Sequence, residues 1–162
     1  IVSDKAIGRA KMVKNRGYYL DILAYVKSDQ KGQTPTTPSI PHMFALDRQL
    51  DNMLAQGEKL FARHKEMAEI TRAWAKKRFA MFSEQGFESD TVSCIKNTRG
   101  VSISDVNREL AKKHKMLSDG YGKLKEKTFR IGHMGEHDVK GIKELLDDLD
   151  DILGLRGEDD ER

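Results

Sequence analysis

Apolar and polar positions alternate along this chain with two periods, one helical and one of strands, separated by one stretch that has neither. Ile1 and Val2 read as the end of a strand, and Ser3 is placed to cap the amides of a short helix that Gly8 weakens. The turn Asn15-Arg16-Gly17 leads into a helical apolar face over 18–23. Residues 28–41 hold all three prolines and must be extended or turning, so they read as a connector. Pro41 suits the first turn of a helix whose face is Phe44, Leu46, Leu50, Met53 and Leu54, with Gly57 as its stop. The spacing predicts a longer helix over 58–79, striped by Leu60, Phe61, His64, Met67, Ala68, Thr71, Trp74 and Ala75.

After a turn at 83–86, residues 91–95 have the β-branched alternation of a half-buried strand. Ser102 or Ser104 caps a third helix through Ile103, Val106 and Leu110, which stops near His114. A loop at 118–122 precedes a second strand over 128–134. The last helix, 137–153, places Val139, Ile142, Leu145, Leu146, Leu149, Ile152 and Leu153 on one face, and Gly154 closes it. The tail 156–162 is too polar to pack. No period of 20 to 50 residues repeats, which argues against a solenoid. The order helix, helix, strand, helix, strand, helix predicts an α/β fold with helices on one face of a small sheet.

Composition narrows the class. The chain has 162 residues, with 29 Lys plus Arg against 26 Asp plus Glu, enough to bury one core and without the charge excess of a nucleic-acid-binding arm. The two halves differ: residues 1–81 carry 15 basic and 8 acidic residues, residues 82–162 carry 14 and 18. The single cysteine, Cys94, excludes an intrachain disulfide framework and fits a reducing, cytoplasmic setting. No apolar run is long enough to span a membrane. The start at Ile1, without methionine, suggests a piece of a longer chain.

Arg130 carries the strongest chemical signal. Set between Phe129 and Ile131 on a strand, it projects to one face beside Gly132, and its planar fork of donors calls for a carboxylate, either from a structural Asp or Glu or from a ligand. His133 and His137 straddle a strand end and lack the spacing of metal ligands, His64 reads as a core-edge histidine, and Cys94 reads as a small buried hydrophobe. Gly120-Tyr121-Gly122, taken alone, reads as a turn before a phosphate loop, because it lacks the longer glycine fingerprint that follows a strand and opens a helix. Thr34, Thr36, Thr37 and Ser39 offer hydroxyls that suit either a phosphate or a polar loop. The basic stretch 5–16 reads as a solvated face, with an acidic partner as the other possibility.

The run Gly120-Tyr121-Gly122-Lys123-Leu124-Lys125, continued by Lys127-Thr128-Phe129-Arg130-Ile131-Gly132-His133-Met134-Gly135, resembles the C-terminal substrate-binding segment of class V aminotransferases of the serine–pyruvate/alanine–glyoxylate branch. Residues 9–25 and the segment Gln33-Thr34-Pro35-Thr36-Thr37-Pro38-Ser39-Ile40-Pro41 resemble the same family in the same order. The resemblance implies the α/β small domain of fold type I, with a small, mostly antiparallel sheet, pyridoxal 5'-phosphate as cofactor, a homodimer formed through the large domain, and transfer of an amino group between a small amino acid and a 2-oxo acid. It implies that the lysine forming the Schiff base lies upstream of Ile1, so that the chain alone is silent. It implies domains at 1–38 (tail of the large domain and linker), 39–155 (small domain) and 156–162 (tail). By the same resemblance Arg130 binds the substrate carboxylate, Gly120, Tyr121 and Gly122 line the substrate mouth, and Thr36, Thr37 and Ser39 reach the cofactor phosphate of the neighbouring subunit. No metal, nucleic acid or membrane is implied. The alternatives are a non-enzymatic helical module for an acidic partner, with Arg130 structural, or another pyridoxal activity such as a lyase.

Overall fold

The computed structural model describes residues 2–159. The chain falls into two compact units that divide between Asn52 and Met53. In the first unit, α1 (Asp4–Met12) is capped by Ser3, whose hydroxyl accepts from the Ala6 amide at 3.3 Å. Asp4 in its first turn and Arg9 and Lys11 in its last complement the helix dipole. α2 (Ile22–Asp29) starts later than the apolar pattern suggests. Asp21 accepts from the Leu23 amide and so fixes the helix start, which leaves Tyr18, Tyr19 and Leu20 outside the helix and exposed. Val2 is not in a strand, and Ile1 lies outside the described residues. Arg16 joins the two helices: its Nε donates to Asp21 Oδ1 at 2.8 Å and its Nη1 to the Val13 carbonyl at 2.7 Å.

Residues 30–39 form no helix or strand, as the prolines require. α3 (Ile40–Gln56) carries Pro41 in its first turn. Its apolar positions Phe44, Leu46, Leu50, Met53 and Leu54 are exposed, so they are not core as their spacing suggests.

The second unit builds the core. It comprises α4 (Glu58–Arg78), β1 (Ala80–Met81), β2 (Val92–Lys96), α5 (Ile103–Ala111), β3 (Ser118–Asp119), β4 (Thr128–Gly132) and α6 (Val139–Leu153). The four strands make one fully antiparallel sheet in the order β1-β2-β4-β3. Along β4, Phe129 and Ile131 are buried while Arg130 and Gly132 are not, the period-2 signature of a sheet covered on one face. Ile95, Phe129 and Ile131 pack with Met67, Trp74 and Ala75 of α4, Ile103, Val106 and Leu110 of α5, and Ile142, Leu146 and Leu149 of α6. Phe61, part of the anticipated stripe on α4, is exposed. Asp150 ties α6 to α4, its two carboxylate oxygens accepting from Trp74 Nε1 and Arg78 Nη2, both at 2.8 Å.

Cap chemistry sets the remaining helix ends. Ser102, the first of the two candidate caps, accepts from the Asp105 amide, and α6 begins two residues later than its pattern because Asp138 caps it through the Gly141 amide. Gly154, at φ +68°, ends α6 in the left-handed conformation. β1 and β3 are two-residue strands that no periodicity can reveal, and β4 stops at Gly132 instead of running to residue 134.

Candidate functional site

The face of the sheet away from the helices carries Arg130. In the ladder it stands opposite Cys94 of β2 and Ser118 of β3. Its Nη2 donates to the Asp119 main-chain carbonyl at 3.2 Å, and its Cζ lies 4.7 Å from the centroid of the Tyr121 ring. Among the described residues no Asp or Glu is paired with it, and its Nε and Nη1 make no hydrogen bond. The guanidinium opens into a cleft of about 430 Å³ whose lining includes Ser118, Gly120, Tyr121, Gly122 and Lys125. A charged fork, half-buried and held by one carbonyl and one aromatic face, has the planar donor geometry that matches a carboxylate.

The loop that forms the other wall is built with equal definition. Asp119 Oδ1 accepts from the amides of Gly120 at 2.6 Å and Glu126 at 2.8 Å, so one carboxylate holds both ends of the loop. Gly120 is required for a steric reason: a Cβ there would sit 2.2 Å from the Leu124 carbonyl oxygen and 2.5 Å from Thr128 Oγ1. Gly122 begins a 3-10 turn, Gly122–Leu124, at φ +54°, a conformation that favours glycine. Glu126 anchors the far end, its Oε2 accepting from the Ile103 amide at the start of α5 and its carbonyl from Asn97 Nδ2, each at 2.7 Å. Arg130, Gly120, Tyr121 and Gly122, singled out from the sequence, thus share one cleft. Asp119 and Glu126 were not singled out, and the only local signal was the Asp-Gly pair, a common turn dipeptide.

The second group, Thr36, Thr37 and Ser39, belongs to the first unit. Thr34 Oγ1 donates to the Thr36 carbonyl at 2.7 Å, a local turn closed by a hydroxyl. Ser39 Oγ and His42 Nδ1 lie 2.6 Å apart at the start of α3. The hydroxyls of Thr36 and Thr37 make no hydrogen bond among the described residues, and both line a hollow with Asp29 and residues 32–38. The two threonine hydroxyls are of the kind that hold a phosphate, while Asp29 brings a carboxylate to the same lining and Ser39 lies outside it.

The histidines have other duties. His133 is fully buried; its Nδ1 lies 3.1 Å from the Asp90 carbonyl and its Nε2 3.0 Å from Ser93 Oγ. Since a carbonyl only accepts, Nδ1 carries the proton and the Ser93 hydroxyl donates to Nε2. Burial pushes its pKa below the ordinary histidine range. His64 reaches the Gly135 carbonyl at 3.5 Å beside the stronger 2.9 Å bond from Arg63 Nη2. Cys94 is half-buried on the Arg130 face and so is not the wholly buried hydrophobe its position suggested.

Comparison with known proteins bears on this arrangement. No family model matches the chain. It is 38% identical over 150 residues to an uncharacterized aminotransferase of Methanocaldococcus jannaschii, covering 90% of this chain and 38% of that protein. It is 31% identical to the soluble hydrogenase 42 kDa subunit of Anabaena cylindrica (94% and 40% covered) and 32% identical to the serine–glyoxylate aminotransferase of Methylorubrum extorquens (83% and 36% covered). In fold it is similar to the crystal structure of pyridoxamine–pyruvate aminotransferase from Mesorhizobium loti, with a TM-score of 0.84 at 24% identity over 96% of this chain and 42% of that one. The chain spans between 36% and 42% of the length of these four proteins.

Proposed function

We propose, for a chain that belongs with the aminotransferases by sequence and by fold, that it is the C-terminal, substrate-binding part of a pyridoxal-phosphate-dependent enzyme. The reaction moves an amino group between a small amino acid of the serine or alanine type and a 2-oxo acid of the pyruvate or glyoxylate type. In this reading residues 1–38 are the tail of the large domain and its linker, 39–155 the small domain and 156–162 a tail. The whole enzyme is a cytoplasmic homodimer of class V. The observation that carries the reading is the Arg130 fork, which faces a cleft where the one carboxylate of the lining, Asp119, is engaged by the amides of Gly120 and Glu126 and leaves the guanidinium unpaired.

A transaminase must accept amino acids that differ in side chain, and the carboxylate is the group they share. A bidentate arginine captures that group in one plane and leaves the amine end of the substrate free to point elsewhere. Gly120, Tyr121 and Gly122 then shape the mouth through which the substrate enters. Pyridoxal phosphate, when bound, supplies the electron sink for the reacting carbon. Thr36, Thr37 and Ser39 are the residues of this chain that would hold its phosphate, reaching in this reading to the neighbouring subunit.

The test is Arg130→Lys in the full-length protein. An ammonium cannot reproduce two parallel planar hydrogen bonds, and losing one charge-assisted bond of roughly 1.5 to 3 kcal/mol lowers kcat/KM for amino acids about 10-fold to 150-fold. Amines without a carboxylate should lose little, and melting temperature and cofactor content should hold. Equal losses for carboxylated and uncarboxylated amines would sink the carboxylate role and leave Arg130 a structural residue.

A further inference from the structure

The ring of Tyr121 has no place in the core. The residue is 80% exposed, yet its ring lies face-on to the Arg130 guanidinium at 4.7 Å. An exposed aromatic ring held this way needs a backbone that presents it. Here that backbone is the loop pinned by Asp119 Oδ1 at both ends, with Gly120 packed against the Leu124 carbonyl. Asp119 acts on Arg130 a second time through its own carbonyl.

We propose that Tyr121 is a positioning residue for the carboxylate site: its ring, set by the Asp119-pinned loop, fixes the plane of the Arg130 guanidinium, so that the edge left open beside the Asp119 contact, the second Nη2 hydrogen together with Nε or Nη1, meets a substrate carboxylate without a search among rotamers. The inference rests on the carboxylate reading above. The ring covers one face of the guanidinium and the Asp119 carbonyl occupies one Nη2 hydrogen, so approach is confined to the plane of the fork. An arginine otherwise loses much side-chain freedom when it binds, and a partner that removes this freedom beforehand strengthens binding without touching the ligand. The ring does this work, and the phenolic hydroxyl is not needed.

The experiment compares wild type with Tyr121→Phe and Tyr121→Leu. Propionate is the probe, titrated into the protein while the Arg130 Nε–Hε resonance is followed by NMR, and propylamine is the control that lacks a carboxylate. A ring over a guanidinium is worth about a 2-fold to 30-fold change in affinity. Tyr121→Leu should weaken propionate binding by that factor, Tyr121→Phe should restore it, and the Hε resonance should sit upfield in wild type and Phe relative to Leu, before any ligand is added. In the full-length protein the same factor should enter KM for amino acids and leave kcat unchanged. Three outcomes overturn the proposal. Phe as weak as Leu means that the hydroxyl binds the ligand. Equal affinities in all three proteins mean that Arg130 needs no positioning, with its carboxylate role intact. A wild type whose upfield Hε resonance is unmoved by propionate removes the carboxylate reading together with this inference.

Discussion

Alanine at Gly120 should do far more damage than alanine at Gly122, although the two glycines stand two residues apart in one loop. At Gly120 the added Cβ would lie 2.2 Å from the Leu124 carbonyl oxygen, and real Cβ atoms essentially never come closer than 3.0 Å to a heavy atom. That oxygen is backbone and cannot rotate away, so the loop must shift by about 0.8 Å. The shift strains three bonds: the Gly120 amide to the Thr128 carbonyl at 3.0 Å, the same amide to Asp119 Oδ1 at 2.6 Å, and the Lys127 amide to the Leu124 carbonyl at 3.0 Å. At about 1 kcal/mol for each bond lost, Gly120→Ala costs about 2 to 4 kcal/mol. At Gly122 nothing lies within 4 Å of the added atom, and the penalty is the left-handed backbone alone, about 1 kcal/mol. For a chain of this length these losses correspond to melting temperatures lower by about 5 to 15 °C and by about 2 to 4 °C. Thermal and urea unfolding of both variants measure the difference, with Gly122→Asn as a milder control because asparagine tolerates positive φ. Equal losses at the two positions would falsify the close approach at Gly120.

Two further outcomes concern the second unit. The folded-state pKa of His133 is lowered by burial, so the unfolded chain binds the proton more readily, and stability should be full above about pH 6.5 and fall as the pH drops through 6.5 toward the folded-state value. Urea midpoints of wild type and His133→Gln between pH 7.5 and 5.5 check this, and a slope that survives in the variant would assign the effect elsewhere. The Asp148 carboxyl, lowered by hydrogen bonds from Lys113 and Lys115, acts in a separate window, where stability is lost only below about pH 3.9. Asp150→Ala should destabilise by about 3 kcal/mol, because it removes the acceptor of Trp74 Nε1 and the carboxylate beside the Arg78 side chain, which is 4% accessible. Asp150→Asn, which keeps an acceptor for Trp74, should cost about half as much in urea unfolding.

Those parts of the fold that repeat a period were legible. The stripes of α4 and α6 and the alternation of β2 and β4 each extend over at least five residues, long enough for one face to declare itself. What failed was the inference from an apolar face to a buried one. Helix α3 has the spacing of a core helix and exposes Phe44 and Leu54 at 71% and 80%, since periodicity reports that a face is apolar and says nothing of what covers it. Helix starts shifted where a side chain outbid the apolar pattern: Asp21 and Asp138 each capture an amide two or three residues ahead and decide where the helix begins.

The site was legible in its charged centre and silent in its supports. Arg130 announced itself as a guanidinium between two apolar strand residues, yet the choice between an internal ion pair and an open fork depended on β3, which is two residues long and has no period to read. Its register decides the matter. Ser118 stands opposite Arg130 and Asp119 opposite Phe129, so the strand presents to Arg130 a main-chain carbonyl, while the Asp119 carboxylate turns to the amides of Gly120 and Glu126. A slip of one residue would set Asp119 directly across from Arg130, and the two would neutralise each other in a structural salt bridge. The bonds from Asp119 to both ends of the loop oppose that slip, because moving the carboxylate toward Arg130 leaves two amides without their acceptor. The arginine stays open to a ligand for the same reason that the loop stays folded.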